Sequence, residues 1–111
     1  MDKKIYIMNL YDYYYKLLTD KQQEYFEDYY FNNLTLAEIS ENYDISRNAV
    51  HKQIKEVEEK LIYYETNLNL YNKYKRIEEI INIDENLKKQ ILEILEWKGW
   101  KYVWKNSFYK W

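Results

Sequence analysis

The chain has 111 residues and a mass of 14.1 kDa, which allows one compact domain with or without a helical extension, and makes two independent domains improbable. It contains no Pro, no Cys and one Gly (Gly99), which excludes disulfides and thiolate chemistry and favours long helices over hairpins. The net charge is −2, so the chain has no overall excess of positive charge. No apolar run approaches the roughly 20 residues of a membrane span. Together with the lack of Pro and Cys, these features lead us to expect a soluble, cytoplasmic, all-α protein.

The first two helices are predicted from apolar spacing and capping signals. Apolar residues recur every three or four positions from about Lys4 to Leu18, as an amphipathic helix requires. Thr19 and Gln22 form a capping box, which predicts a second helix from about Asp20 to Phe31. Its core-facing residues are expected to be Tyr25, Phe26, Tyr29 and Tyr30.

Residues 35–55 have the layout of a helix-turn-helix. Thr35 and Glu38 form another capping box, which places a helix start at Leu36. Tyr43-Asp44-Ile45 follows as the turn, with Asp44 where such motifs usually carry Gly, and Asp tolerates the left-handed conformation better than most residues do. Ser46 then caps the second helix.

The second helix of the motif supplies the candidate binding residues. Ala49, Val50 and Ile54 are predicted to face inward, while the residues that can face outward are Arg47, Asn48, His51, Lys52 and Lys55. In DNA-binding versions of the motif, the first residues of this helix enter the major groove. We therefore expect these five side chains to contact nucleic acid or another partner.

The same helix is predicted to continue to about Tyr74. Val50, Ile54, Val57, Leu61, Tyr64, Leu68 and Tyr71 follow one another at alternating spacings of four and three, as in a heptad seam. Its later part can pack on the first helix or against a second copy of the chain. The candidates for a dimer seam are Val57, Leu61, Tyr64, Leu68 and Tyr71.

The remaining chain divides into a helical segment and a tail. A further helix to about Lys98 can be capped by Asn82 with Glu85 or by Asp84 alone, and Gly99 can end it. The expected parts are residues 1–74 (helix-turn-helix domain), 75–98 (helical segment) and 99–111 (tail). From Trp97 onward the chain holds all four Trp and four Lys with no acid, which suits a nucleic-acid strand or a membrane interface. The alternatives are a poorly ordered tail or an apolar strip that docks on its own domain.

Charge limits the binding function that this motif can support. Residues 19–46 hold seven acids and one base, whereas residues 47–60 hold four bases and three acids. Because phosphate contacts supply most nucleic-acid affinity, tight autonomous DNA binding is less probable than the motif alone indicates. We expect no catalytic residue, no metal site and no cofactor: His51 is the one histidine, Glu56, Glu58 and Glu59 read as a solvated charge run, and one Gly cannot build a phosphate loop.

The chain resembles the YlxM-like helix-turn-helix proteins of low-GC bacteria, whose fold in turn looks like region 4 of bacterial sigma factors. The resemblance runs through L-T-D-K-Q-Q-E-Y-F-E-D-Y-Y (18–30), L-A-E-I-S-E (36–41), I-S-R-N-A-V (45–50) and Tyr64-Glu65. Arg47 matches the family's arginine. The chain departs from the family at Asp44, where Gly is usual, and at Lys52 and Glu56, where an acid and Arg are common.

This resemblance implies an all-α, helix-turn-helix bundle with a long C-terminal helical extension, and a link to the signal recognition particle pathway. That link comes from the family's gene neighbourhood. Under it, the chain is a non-catalytic regulatory or accessory protein that binds the particle's RNA, its GTPase subunit or promoter DNA. Two alternatives stay open: a sequence-specific transcription regulator that binds DNA, and a structural module that forms a homodimer.

Overall fold

The structure, a computed structural model, describes residues 2–82 and 84–94, and every regular element among them is helical. The α-helices are α1 (Lys3–Tyr14), α2 (Asp20–Tyr30), α3 (Leu36–Tyr43), α4 (Arg47–Leu68), α5 (Leu70–Ile81) and α6 (Glu85–Ile94). A short 3-10 turn, Tyr15–Leu17, follows α1 where the sequence predicts that the first helix continues. The predicted all-α class is confirmed. None of the described helices is both long enough and apolar enough to cross a bilayer.

The predicted caps of α2 and α3 are both present. The Thr19 hydroxyl accepts the N–H of Gln22 at 3.1 Å, and the Gln22 side chain accepts the N–H of Thr19 at 3.0 Å. Thr35 and Glu38 repeat this reciprocal pair at 3.1 Å each. Each pair satisfies two N–H groups that a helix start otherwise leaves without partners, so both start positions follow from local chemistry.

The chain divides into two compact units, of which the first ends at Leu68. In this unit α4 lies at the centre and packs against α1, α2 and α3. Its fully buried side chains come from all four helices, and they are Ile7, Leu10, Tyr14, Phe26, Ile39, Val50, Val57 and Leu61. Phe26 stacks on Tyr11 and on Tyr30, with ring centroids 4.3 Å apart in each pair.

The prediction that the fourth helix runs to Tyr74 is wrong, because α4 ends at Leu68. Asn69 has φ 54° and ψ 30°, in the left-handed region, and α5 begins at the next residue. Asn adopts this conformation more readily than most residues other than Gly. An uninterrupted apolar pattern therefore does not guarantee one continuous helix.

The second unit begins at Asn69, and within it α5 packs against α6. Of the two predicted caps for the last helix, Asp84 is the one that forms: its Oδ1 accepts the N–H of Asn86 at 2.8 Å. Asn82 instead follows the end of α5. The predicted continuation to Lys98, the stop at Gly99 and the tail at 99–111 lie outside the described residues.

Candidate nucleic-acid interface

The turn between α3 and α4 fixes the direction in which α4 begins. Asp44 adopts φ 54° and ψ 46°, the left-handed conformation predicted for it. The N–H of Ile45 donates to the Ser40 carbonyl at 3.1 Å, and the N–H of Asp44 donates to the Glu41 carbonyl at 3.4 Å. These two bonds form a Schellman motif, which ends α3 without a glycine.

Ser46 starts α4 as the sequence predicts. Its hydroxyl accepts the N–H of Ala49 at 3.0 Å, the usual bond of a serine N-cap. Val50 and Ile54, one and two turns further on, are buried, whereas Ala49 is half-buried. The buried side chains anchor one side of α4, so the opposite side of its first turns faces solvent.

We call the outward side of the first turns of α4 the recognition face, and its five residues are Arg47, Asn48, His51, Lys52 and Lys55. All five side chains are exposed. Within the part of the chain that the structure describes, no ion pair or side-chain hydrogen bond engages Arg47, Lys52 or Lys55. The recognition face therefore presents three cations whose charges no described acid neutralises by contact.

The first turn of α4 carries a base, whereas the first turns of α2 and α3 carry acids. Asp20 and Glu38 lie in the first turns of α2 and α3, where an acid interacts favourably with the positive end of the helix dipole. The first turn of α4 holds no acid and begins with Arg47. A base there disfavours the helix slightly but adds to a positive potential that attracts phosphate.

Acids border the recognition face on α4. Glu56 follows Lys52 by four residues and Glu59 follows Lys55 by four, so each acid lies one helical turn beyond a cation. Since this border is negative, phosphate contacts on α4 are favourable only along its first turns. Among the described residues, no group of three His or acidic side chains is arranged to hold a metal ion.

Two acids, Asp28 in α2 and Glu58 in α4, accept hydrogen bonds from tyrosines. The Tyr30 hydroxyl donates to Glu58 Oε2 at 2.6 Å, and the Tyr43 hydroxyl donates to Asp28 Oδ2 at 3.1 Å. Burial, followed by the bond to Asp28, raises the pKa of Tyr43 to about 12. Burial, followed by the bond to Glu58, also raises the pKa of Tyr30. Periodicity alone did not indicate these tyrosine–carboxylate pairs.

The residues predicted for a dimer seam have different environments. Val57 and Leu61 are fully buried inside a single chain, so they belong to the core of the first unit. The Tyr64 ring lies 5.9 Å from the Tyr14 ring, and its hydroxyl donates to the Leu17 carbonyl at 3.4 Å. Packing within a single chain therefore accounts for these three positions.

The last two residues of the predicted seam, Leu68 and Tyr71, lie in different helices. Leu68 remains exposed at the last position of α4, whereas Tyr71 is buried and lies in α5. The periodic pattern thus crosses the boundary between the two units. A homodimer stays a prediction.

Comparison with known proteins places this helix-turn-helix in a family. A family model described as "Putative helix-turn-helix protein, YlxM / p13 like" matches residues 1–97. The chain belongs to this family. A UPF0122 protein of Thermoanaerobacter sp. (strain X514) is 45% identical over 95 residues, which cover 86% of this chain and 79% of the relative.

Relatives with lower sequence identity occur in other bacteria. The UPF0122 protein of Halalkalibacterium halodurans is 40% identical over 91 residues, covering 81% of this chain and 84% of that protein. The protein of Fusobacterium nucleatum subsp. nucleatum is 38% identical over 94 residues, covering 84% and 91%. The predicted membership of the YlxM-like family is confirmed.

Proposed function

We propose that this protein is a non-catalytic regulatory or accessory protein that binds nucleic acid through its recognition face, within the signal recognition particle pathway. The observation that carries the proposal is the outward presentation of Arg47, Lys52 and Lys55 on the first turns of α4, unneutralised among the described residues. A helix start with free cations attracts phosphate through both its dipole and its charges.

An accessory role agrees better with the charges than autonomous binding does. The logarithm of the binding constant for duplex DNA falls with the logarithm of the salt concentration, with a slope of about −0.9 for each phosphate that the protein neutralises. Three cations therefore imply a slope of only about −3. The acids at Glu56 and Glu59 oppose a wider footprint. The weak affinity for nucleic acid that we expect from three cations becomes useful when protein contacts in the same complex add to it.

The ligand class that we favour is the RNA of the signal recognition particle, together with its GTPase subunit. This choice rests on the family's link to that pathway. Crosslinking in cells, followed by identification of the bound RNA, DNA and protein, tests it directly. Recovery of the particle's RNA or GTPase subunit is expected, and recovery of neither contradicts the role in this pathway.

A sequence-specific DNA regulator is the second candidate, and the positions of Arg47 and Asn48 favour it. They occupy the first two residues of α4, which is the end of a recognition helix that approaches base edges. Arg pairs well with guanine and Asn with adenine. If this candidate is right, Arg47→Ala alters the sequence preference of a genome-wide footprint, whereas an unchanged footprint rules it out.

A further inference from the structure

A shallow apolar groove lies on α4 beyond the recognition face. It is lined by Glu56, Glu59, Lys60, Tyr63 and Tyr64, and its volume is about 510 Å³. These residues recur at spacings of three and four, so they form one strip along the helix. Tyr63 leaves 65% of its surface exposed, so its ring is accessible to a partner.

Glu56 and Glu59, the two acids of the groove, contact no group of opposite charge within the part of the chain that the structure describes. Among the described residues, neither Glu56 nor Glu59 takes part in an ion pair or a side-chain hydrogen bond. Their neighbour Glu58 differs, because its carboxylate accepts the Tyr30 hydroxyl. Glu56 and Glu59 therefore offer free carboxylates beside aromatic rings.

Lys60, the one cation among the described lining residues of the groove, is directed towards another helix. Lys60 Nζ donates to Gln22 Oε1 at 3.4 Å, at the start of α2. This contact draws the ammonium group towards the capping box of that helix. The described lining residues thus keep the negative character of Glu56 and Glu59, with Tyr63 and Tyr64 further along the same helix.

We propose that this groove docks a cationic, lysine- and arginine-rich segment of a partner protein. Carboxylates form charge-assisted hydrogen bonds with guanidinium and ammonium groups, and a tyrosine ring attracts a cation over its face. The stems of Lys and Arg are apolar and suit the ring surfaces of the groove. A nucleic acid is repelled by the same carboxylates, so the groove and the recognition face select ligands of opposite charge.

The two surfaces follow one another along α4. Lys55 is the last cation of the recognition face, and Glu56 is the first acid of the groove. A partner whose basic segment occupies the groove places its own bound nucleic acid near the first turns of α4. The groove proposal does not depend on the nucleic-acid proposal, and each can fail alone.

The test uses the full chain and a fluorescent synthetic peptide of repeated Lys-Leu-Arg triplets, followed by anisotropy. The double variant Glu56→Gln/Glu59→Gln is expected to weaken peptide binding about tenfold, because charge-assisted contacts are lost. Tyr63→Ala is expected to weaken it about threefold through the lost ring contact. The matched control Glu41→Gln/Glu79→Gln removes two exposed acids outside the groove and is expected to leave binding within about twofold.

Three results would overturn the proposal. One is that the native chain and the double variant bind the basic peptide equally. Another is that the native chain binds the basic peptide no better than a matched peptide with Glu in place of Lys and Arg. The third is a change of oligomeric state in the double variant by sedimentation, since the groove would then hold a second copy. Circular dichroism verifies folding of each variant. Binding of nucleic acid by the same double variant is measured separately, so loss of one activity is distinguishable from loss of the other.

Discussion

The hydroxyl of Tyr30 in α2 donates a 2.6 Å hydrogen bond to the carboxylate of Glu58 in α4, between residues 28 positions apart in the chain. Tyr30 is buried and its ring stacks on Phe26 at 4.3 Å, so the donor is held rigidly. The bond joins α2 to the helix that carries the recognition face. We infer that it helps to fix α4 against the supporting helices.

Tyr30→Phe is expected to destabilise the protein. A hydrogen bond to a charged group contributes about 1.5–3 kcal/mol, and the partial exposure of Glu58 places the expected loss at about 1–2 kcal/mol. Urea denaturation followed by circular dichroism measures the free energy of unfolding. The control is Tyr29→Phe, whose hydroxyl has no hydrogen bond among the described residues and whose removal is expected to change little. Equal effects of the two variants would show that the bond to Glu58 is not responsible.

Alkaline pH is expected to weaken the fold through Tyr43. Its pKa is raised from 10.0 to about 12, so the folded state holds the phenol proton more tightly than the unfolded state does. The contribution to stability is complete below pH 10, where both states are protonated, and it is lost as pH rises from 10 to about 12.

The matched variant Tyr43→Phe isolates this contribution from those of the other tyrosines. The difference in free energy of unfolding between the native protein and Tyr43→Phe is expected to shrink across that alkaline range. Urea denaturation at several pH values measures it. A difference that stays constant would mean that Tyr43 does not titrate differently in the two states.

Leu61→Ala is expected to cost about 2–5 kcal/mol, because it opens a cavity at a fully buried position. Leu68→Ala is the control on the same helix, where 45% of the side chain is exposed, and a much smaller loss is expected. Thermal and urea denaturation compare the two. If Leu61→Ala instead lowers only the state of association and leaves the monomer's stability unchanged, Leu61 belongs to an interface and not to the core.

Capping chemistry allowed much of the first unit to be predicted from sequence. Thr19, Thr35 and Ser46 each accept the N–H three residues later, and all three helix starts lie where these residues predict. The left-handed turn at Asp44 was also predictable, because local sterics restrict that conformation to few residue types. The exposure of the recognition face follows from the same helix start and the burial of Val50 and Ile54.

Two features were not predictable from the sequence, one in the backbone and one in the packing between helices. The end of α4 at Leu68 could not be predicted from the apolar pattern, because that pattern continues into α5. The left-handed conformation of Asn69 ends the helix without interrupting the pattern. Likewise, the bond of Tyr14 to Glu65 joins residues 51 positions apart, and a buried glutamate resembles any surface glutamate in the sequence. Local signals fix where helices begin, whereas tertiary contacts decide which polar side chains are buried.

The measurement that tests the central claim most directly is the salt dependence of binding to the particle's RNA and to duplex DNA. The triple variant Arg47→Ala/Lys52→Ala/Lys55→Ala is compared with the control Lys3→Ala/Lys4→Ala/Lys16→Ala, which removes three exposed cations elsewhere. The account predicts that the native chain binds at least one ligand. It also predicts that the first variant loses most of this affinity and about 2–3 units of salt slope, while the control retains both. Equal losses in the two variants, or no binding by the native chain, would contradict it.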